Sequence, residues 1–262
     1  MRFVRFSVGD NPQYGVVEGD PGAEVISLIG GDPLYTTVQF TGMRVPLAEV
    51  RVLAPVLPRS KVLAVGRNYA EHAAEMGEEV PAEPLVFLKP NTSVIGPGEP
   101  IRLPPQSSEV HFEGELAVII KRLCKDVPVE RADEVILGYT IANDVTARDL
   151  QKKDGQWSRA KGFDSFCPLG PWIETDLDPQ RFADGVRVQT HLNGDLVQDG
   201  STKDLIFDIP TLVAHITSVM TLLPGDVILT GTPDGIGPMQ PGDEVEVSIE
   251  GLGTLTNTVV RR

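Results

Sequence analysis

The chain has 262 residues, 41% hydrophobic and 23% charged, enough to bury a full core and typical of a soluble globular protein. Its net charge of −14 and pI of about 4.7, with no clustered Lys or Arg, argue against nucleic acid or an anionic membrane surface as partner. Two cysteines without a C-x-x-C pair argue against a disulfide framework or a zinc thiolate site. Cys124 and Cys167 read as buried free thiols in a reducing compartment. The first residues alternate like a strand and lack the apolar run of a signal peptide, and no segment approaches a membrane span, so a cytoplasmic protein is expected.

Residues 1–57 read as a small N-terminal domain. Val4, Phe6 and Val8 alternate, Gly9-Asp10-Asn11-Pro12 makes a turn, and residues 14–18 return as the hairpin partner. Prolines 55 and 58 mark the connection into a second unit, residues 58–262, which carries the chemistry. It opens with a strand over residues 61–65 and then a short helix. Asn68 and Glu71 fit a capping box and Gly77 fits a C-terminal stop. His72 and Glu75 stand three apart and share a helix face, either as a surface ion pair or as part of a segment that closes over a site. Residues 85–89 form a strand ending in Lys89.

Between residues 111 and 120, Phe112, Leu116, Val118 and Ile120 alternate toward a core, which places His111, Glu113, Glu115 and Ala117 on the other face. Two carboxylates roughly 7 Å apart along one strand repel unless a proton or cation lies between them. An oxygen-only site suits Mg²⁺, Mn²⁺ or Ca²⁺, and the alternative is a solvated strand face. Residues 129–134 read as a helical or turn segment, and residues 135–145 as a strand that delivers Asp144, the natural third ligand. Lys161 follows in a loop. The last third is β-rich: a hairpin turns at Asn193-Gly194, and Pro224 and Pro241 each begin a turn that launches a strand. Leu212, Ile216, Val219 and Leu223 stripe a helix over residues 209–223, with His215 a core or boundary histidine beside them. The glycine-rich stretch from Thr230 to Gly237 lacks the signature of a phosphate loop, and no dinucleotide fingerprint occurs anywhere. Its backbone N–H groups beside a threonine suit a carboxylate.

Five motifs occur in order: Gly66-Arg67-Asn68-Tyr69-Ala70-Glu71-His72-Ala73-Ala74-Glu75-Met76, Phe87-Leu88-Lys89-Pro90, Phe112-Glu113-Gly114-Glu115-Leu116, Asn143-Asp144-Val145-Thr146-Ala147-Arg148-Asp149 and Leu229-Thr230-Gly231-Thr232-Pro233-Asp234-Gly235. Each is weak alone; together over about residues 60–260 they resemble the fumarylacetoacetate hydrolase family, in its acylpyruvase and 2-hydroxyhepta-2,4-diene-1,7-dioate isomerase-like branch. The resemblance implies an α+β, β-rich fold, a β-roll with a small N-terminal domain, and a homodimer. It implies one Mg²⁺ or Mn²⁺ on Glu113, Glu115 and Asp144, a His72–Glu75 dyad on a lid helix, and Lys161 beside a bound 2-oxo acid. Arg67, Lys89, Gln151 and Thr232 match substrate-binding positions. The implied activity is C–C bond hydrolysis of acylpyruvates or fumarylpyruvate, or isomerisation of the heptadienedioate, in aromatic-compound catabolism. Oxaloacetate decarboxylation comes next, and a non-enzymatic metal or carboxylate binder is the reading from another class.

Overall fold

The computed structural model describes residues 1–75 and 79–262. Its backbone is organised by a twelve-stranded sheet in which an interior strand, Gly114–Ile120, is the run of alternating apolar residues. That strand pairs antiparallel with Ile136–Asn143 on one side and with Val227–Leu229 on the other. Val227–Leu229 runs parallel to Val62–Gly66, and Leu85–Lys89 closes that side of the sheet. In the other direction the sheet continues through Cys167–Glu174 into the amino-terminal strands, beginning with Arg2–Val8. The amino-terminal strands therefore extend the same sheet.

All seven residues of Gly114–Ile120 are buried, so neither face meets water. Leu116, Val118 and Ile120 pack into the larger core with Leu212, Val213 and Ile216 of the helix Ile209–Val219 and with Val188, Val245 and Val247 of a second, five-stranded sheet. Ala117 and Ile119 face a second core built with Ala142, Leu169, Val227 and Leu229, and with Phe3, Val16 and Ile29 from the amino-terminal strands. The alternation is real, and both of its faces are interior. The solvated-face reading of the acidic strand is thereby corrected.

The strand is also shorter than expected. It breaks at Glu113, where Val110–Phe112 joins a separate three-stranded sheet. Side chains there take the place of ladder partners: Asn143 Oδ1 accepts from Glu113 N–H (2.9 Å) and Gln198 Oε1 from Gly114 N–H (3.0 Å). A methyl group on Gly114 would stand 2.3 Å from Thr190 Oγ1 and 3.0 Å from Val247 Cγ1. Gly114→Ala is accordingly expected to cost about 1–3 kcal/mol and to lower the melting temperature by several degrees in a thermal scan. An unchanged Tm would show that the second sheet yields freely.

Other expectations shift in detail. Asn68 does not cap the helix Ala70–Glu75. It is fully buried and clasps its neighbours: Nδ2 donates to Thr230 O (2.8 Å) and Phe207 O (3.0 Å), and Oδ1 accepts from Phe207 N–H (2.8 Å). The stop assigned to Gly77 lies outside the described residues. Residues 129–134 fall within a 3₁₀ turn, Val129–Val135, and Lys161 ends a short helix, Ser158–Lys161, rather than lying in a loop. The helix Ile209–Val219 starts where Asp208 Oδ1 accepts from Thr211 N–H (2.9 Å) and ends before Met220, whose backbone is extended. Its buried stripe is Ile209, Leu212, Val213 and Ile216, whereas Val219 is 66% exposed and Leu223 lies beyond the helix. His215 sits half-buried at the boundary. The Asn193-Gly194 turn has both φ angles positive, 53° and 86°, as a two-residue hairpin requires.

Both cysteines are buried free thiols, and burial pushes Cys167 up to about 12. Neither is expected to react with a thiol reagent such as DTNB until the chain unfolds; rapid labelling of the native protein would contradict that.

Candidate active site

Strand polarity brings the candidate residues to one place. Gly114–Ile120 begins at the site, its antiparallel neighbours end there at Asn143 and Leu229, and Val62–Gly66 ends there by running parallel to Val227–Leu229. Asp144, the Thr230 to Gly237 loop and the segment leading into Ala70–Glu75 thus emerge side by side. Lys89 comes from the other end of its strand, opposite Val62, and reaches in with its long side chain.

Ligand oxygens of Glu113, Glu115 and Asp144 all lie within 4.8 Å of one another. The three residues are 4%, 1% and 1% exposed. Three buried cations surround them. Lys161 Nζ donates to Glu113 Oε2 (2.9 Å) and Asp144 Oδ2 (2.7 Å), Lys89 Nζ donates to Asp144 Oδ1, and Arg148 Nη2 donates to Glu113 Oε1. Thr146 Oγ1 adds a hydrogen bond to Glu113 Oε1 (3.0 Å). Burial alone would raise the Glu113 pKa, but Lys161 and Arg148 overcome it and hold the carboxyl well below the usual range. Among the described residues Glu115 has no cationic side chain hydrogen-bonded to it, and the charge of Lys161 offsets its burial only in part. It accepts Gly231 N–H (2.7 Å), while burial first, then the Asp144 and Glu113 carboxylates, push its pKa well above the ordinary value.

This donor set fits a hard divalent cation. It is oxygen-only and convergent, and it contains one carboxylate with no positive side chain paired to it among the described residues. A cation there would lower the electrostatic cost of ionising Glu115.

Across a cavity of about 150 Å³ from these carboxylates lies His72, 6% exposed. Its Nδ1 is 3.2 Å from Glu75 Oε2, and Glu75 Oε1 accepts from Gly235 N–H (3.1 Å). A carboxylate only accepts, so Nδ1 carries the hydrogen, and in the neutral ring Nε2 then keeps its lone pair. Gly235 is obligatory at this contact: its φ is +88° and a methyl group would stand 2.0 Å from Val197 O.

The cavity is also lined by Arg67, Gln151, Lys161 and Thr232. With Glu75 bonded to His72 and Lys89 to Asp144, all ten residues singled out from the sequence meet at this one site. The Thr232 hydroxyl is already engaged, donating to Gly114 O (2.9 Å) and accepting from Gln198 Nε2 (2.8 Å). Gln151 Oε1 accepts from Arg148 Nη1 (2.9 Å). Sequence reasoning did not single out Arg148, although it stands inside a recognised motif four residues after Asp144. Nothing local marks Gln198, whose amide ties Gly114, Thr190, Thr232 and Pro233 together.

Residues 61–260 match the family model described as fumarylacetoacetate (FAA) hydrolase C-terminal, and residues 1–55 match one described as Rv2993c-like, N-terminal. The chain is 54% identical over 264 residues to protein Rv2993c of Mycobacterium tuberculosis, covering 100% of this chain and 99% of that one. It is 37% identical over 292 residues to the mitochondrial oxaloacetate tautomerase Fahd2a of Rattus norvegicus, covering 99% and 92%. The X-ray structure of 5-carboxymethyl-2-hydroxymuconate delta-isomerase from Mycobacterium smegmatis matches it with a TM-score of 0.91 and 55% identity, covering 100% of both chains. The family match and the names of these relatives define the class, an enzyme. The chain belongs to the fumarylacetoacetate hydrolase family.

Proposed function

We propose that this enzyme moves a proton at the carbon next to the ketone of a small 2-oxo acid, interconverting keto and enol forms or shifting a double bond, with Mg²⁺ or Mn²⁺ bound. The observation that carries this reading is buried His72, hydrogen-bonded to the more exposed Glu75 and facing three convergent carboxylates across one small cavity. Glu113, Glu115 and Asp144 would hold the cation, which when bound supplies Lewis acidity at the substrate ketone. Lys161 places a second positive charge beside the same oxygen. His72 Nε2 takes the proton from carbon and returns it, while Glu75 fixes the ring and stabilises the imidazolium that forms. Arg67, Gln151 and Thr232 line the cavity where the substrate carboxylates would sit, and Lys89 positions Asp144. The buried walls limit water at the reacting carbon.

The names of the rat tautomerase and the mycobacterial isomerase support proton transfer as the core step. In the same reading the substrate is a pyruvate-bearing dioxo acid or its enol from aromatic-compound catabolism, and residues 58–262 are the catalytic unit. A cytoplasmic homodimer completes it, the dimer to be checked by light scattering. No helix among the described residues is long and apolar enough to cross a membrane.

The test is incubation with enol oxaloacetate, 2-hydroxyhepta-2,4-dienedioate, acetylpyruvate and fumarylpyruvate, with Mg²⁺ or Mn²⁺ and with EDTA. Cation-dependent decay of enol absorbance without pyruvate or CO₂ supports the reading. Pyruvate with CO₂ would make the chain a decarboxylase, and pyruvate with a second acid a hydrolase. No turnover of any would sink this substrate class.

A further inference from the structure

The catalytic cavity adjoins a larger apolar groove of about 650 Å³, and Arg67 and Trp157 line both. The groove is walled by Leu85, Phe87, Leu88, Val219 and Met220. Trp157 stands where the two meet. On the inner side its six-membered ring packs on Gly66, which lines the catalytic cavity: a methyl group there would stand 2.6 Å from Cζ3 and 2.8 Å from Cη2. On the outer side Phe87 meets the indole edge-on, with centroids 5.1 Å apart. The Arg67 guanidinium lies 5.9 Å from the ring centroid. The Trp157 carbonyl accepts from Lys161 N–H (2.9 Å), which ties the indole's backbone to the helix that carries Lys161.

The structure assigns to Trp157 the role of a partition that sets the longest substrate the site accepts. The indole fills the passage between a small polar chamber and an apolar groove. A 2-oxo acid with a short tail fits the chamber, and one with a long alkyl tail collides with the ring. Removing the ring joins the chamber to the groove and provides an apolar channel for that tail. Trp157 is therefore a specificity-determining residue that touches neither the carboxylate triad nor the dyad through any hydrogen bond of its side chain. The inference rests on the 2-oxo-acid reading given above.

The test uses oxamate, an inert mimic of a 2-oxo acid, and its N-methyl and N-hexyl derivatives, titrated calorimetrically into the full-length protein with Mg²⁺. The natural protein is expected to bind N-hexyl oxamate at least tenfold more weakly than N-methyl oxamate. Trp157→Ala is expected to bind the hexyl derivative at least tenfold more tightly than the natural protein does, with oxamate itself within threefold. Adding Val219→Asp, at a site 66% exposed on the groove wall, is expected to cancel that gain and leave oxamate untouched. If Trp157→Ala does not fold, Trp157→Phe carries the comparison with a gain of about threefold. A folded variant that binds oxamate normally and shows no change in tail preference would overturn the partition alone. Failure of oxamate to bind the natural protein would overturn the 2-oxo-acid reading, and this inference with it.

Discussion

Exchange of Glu115 for Gln is expected to abolish tight Mg²⁺ and Mn²⁺ binding and to lower kcat/KM by about 10³-fold or more, roughly 4 kcal/mol of transition-state stabilisation. Glu115 is the cleanest of the three carboxylates to change. Glu113 sits against Lys161 and Arg148, and Asp144 against Lys89 and Lys161. Neutralising either of those leaves a buried cation under-compensated, and breaking such a pair costs about 3–5 kcal/mol of stability. Among the described residues Glu115 is hydrogen-bonded by the Gly231 N–H alone, which a glutamine oxygen can still accept. The glutamine also removes a carboxyl that burial and two neighbouring carboxylates already disfavour as an anion. Glu115→Gln should therefore fold with an unchanged or higher Tm while losing the cation. Calorimetric titration showing Mg²⁺ affinity within threefold of the natural protein would remove Glu115 from the ligand set.

The second large effect separates the dyad from the cation. His72→Ala is expected to leave Mg²⁺ affinity unchanged and to lower kcat by about 10²–10⁴-fold, the usual worth of a positioned acid–base group. Added imidazole should restore part of the rate, because the vacated space beside Glu75 can take it. Glu75→Gln should fall between, since the ring keeps its place but loses the charge that favours its protonated form. A His72→Ala enzyme retaining more than a tenth of the natural kcat would exclude the histidine as the proton carrier.

How much of this was legible in the chain differs from residue to residue. The period-two alternation of Phe112, Leu116, Val118 and Ile120 was readable because core packing imposes it directly. The break at Glu113 was not, since Asn143 and Gln198 decide it from 30 and 84 positions away. Asn68 looked like a helix cap because caps have a local signature, yet its amide bonds to Phe207 and Thr230, whose nearness only the folded sheet creates. The helix stripe past residue 219 failed for a similar reason: apolar spacing continued while the backbone turned extended at Met220. Eight of the ten candidate residues stand inside the five ordered motifs, and Gln151 and Lys161 followed from the resemblance those motifs carry, which records chemistry but not packing. Trp157 belongs to packing, and no spacing rule marks it.

The shared core beneath the amino-terminal strands bears on how this enzyme can be trimmed. Phe3, Val16 and Ile29 cap the same apolar surface as Ala117, Ile119, Ala142 and Leu169, and Ala117 and Ile119 belong to the strand that carries Glu115. A fragment starting at residue 58 would bare that surface to solvent and leave the Ile173 end of Cys167–Glu174 without its Arg2–Val8 neighbour, an open sheet edge. Such a fragment would be prone to aggregate. The amino-terminal strands thus cover apolar surface of the strand that carries Glu115.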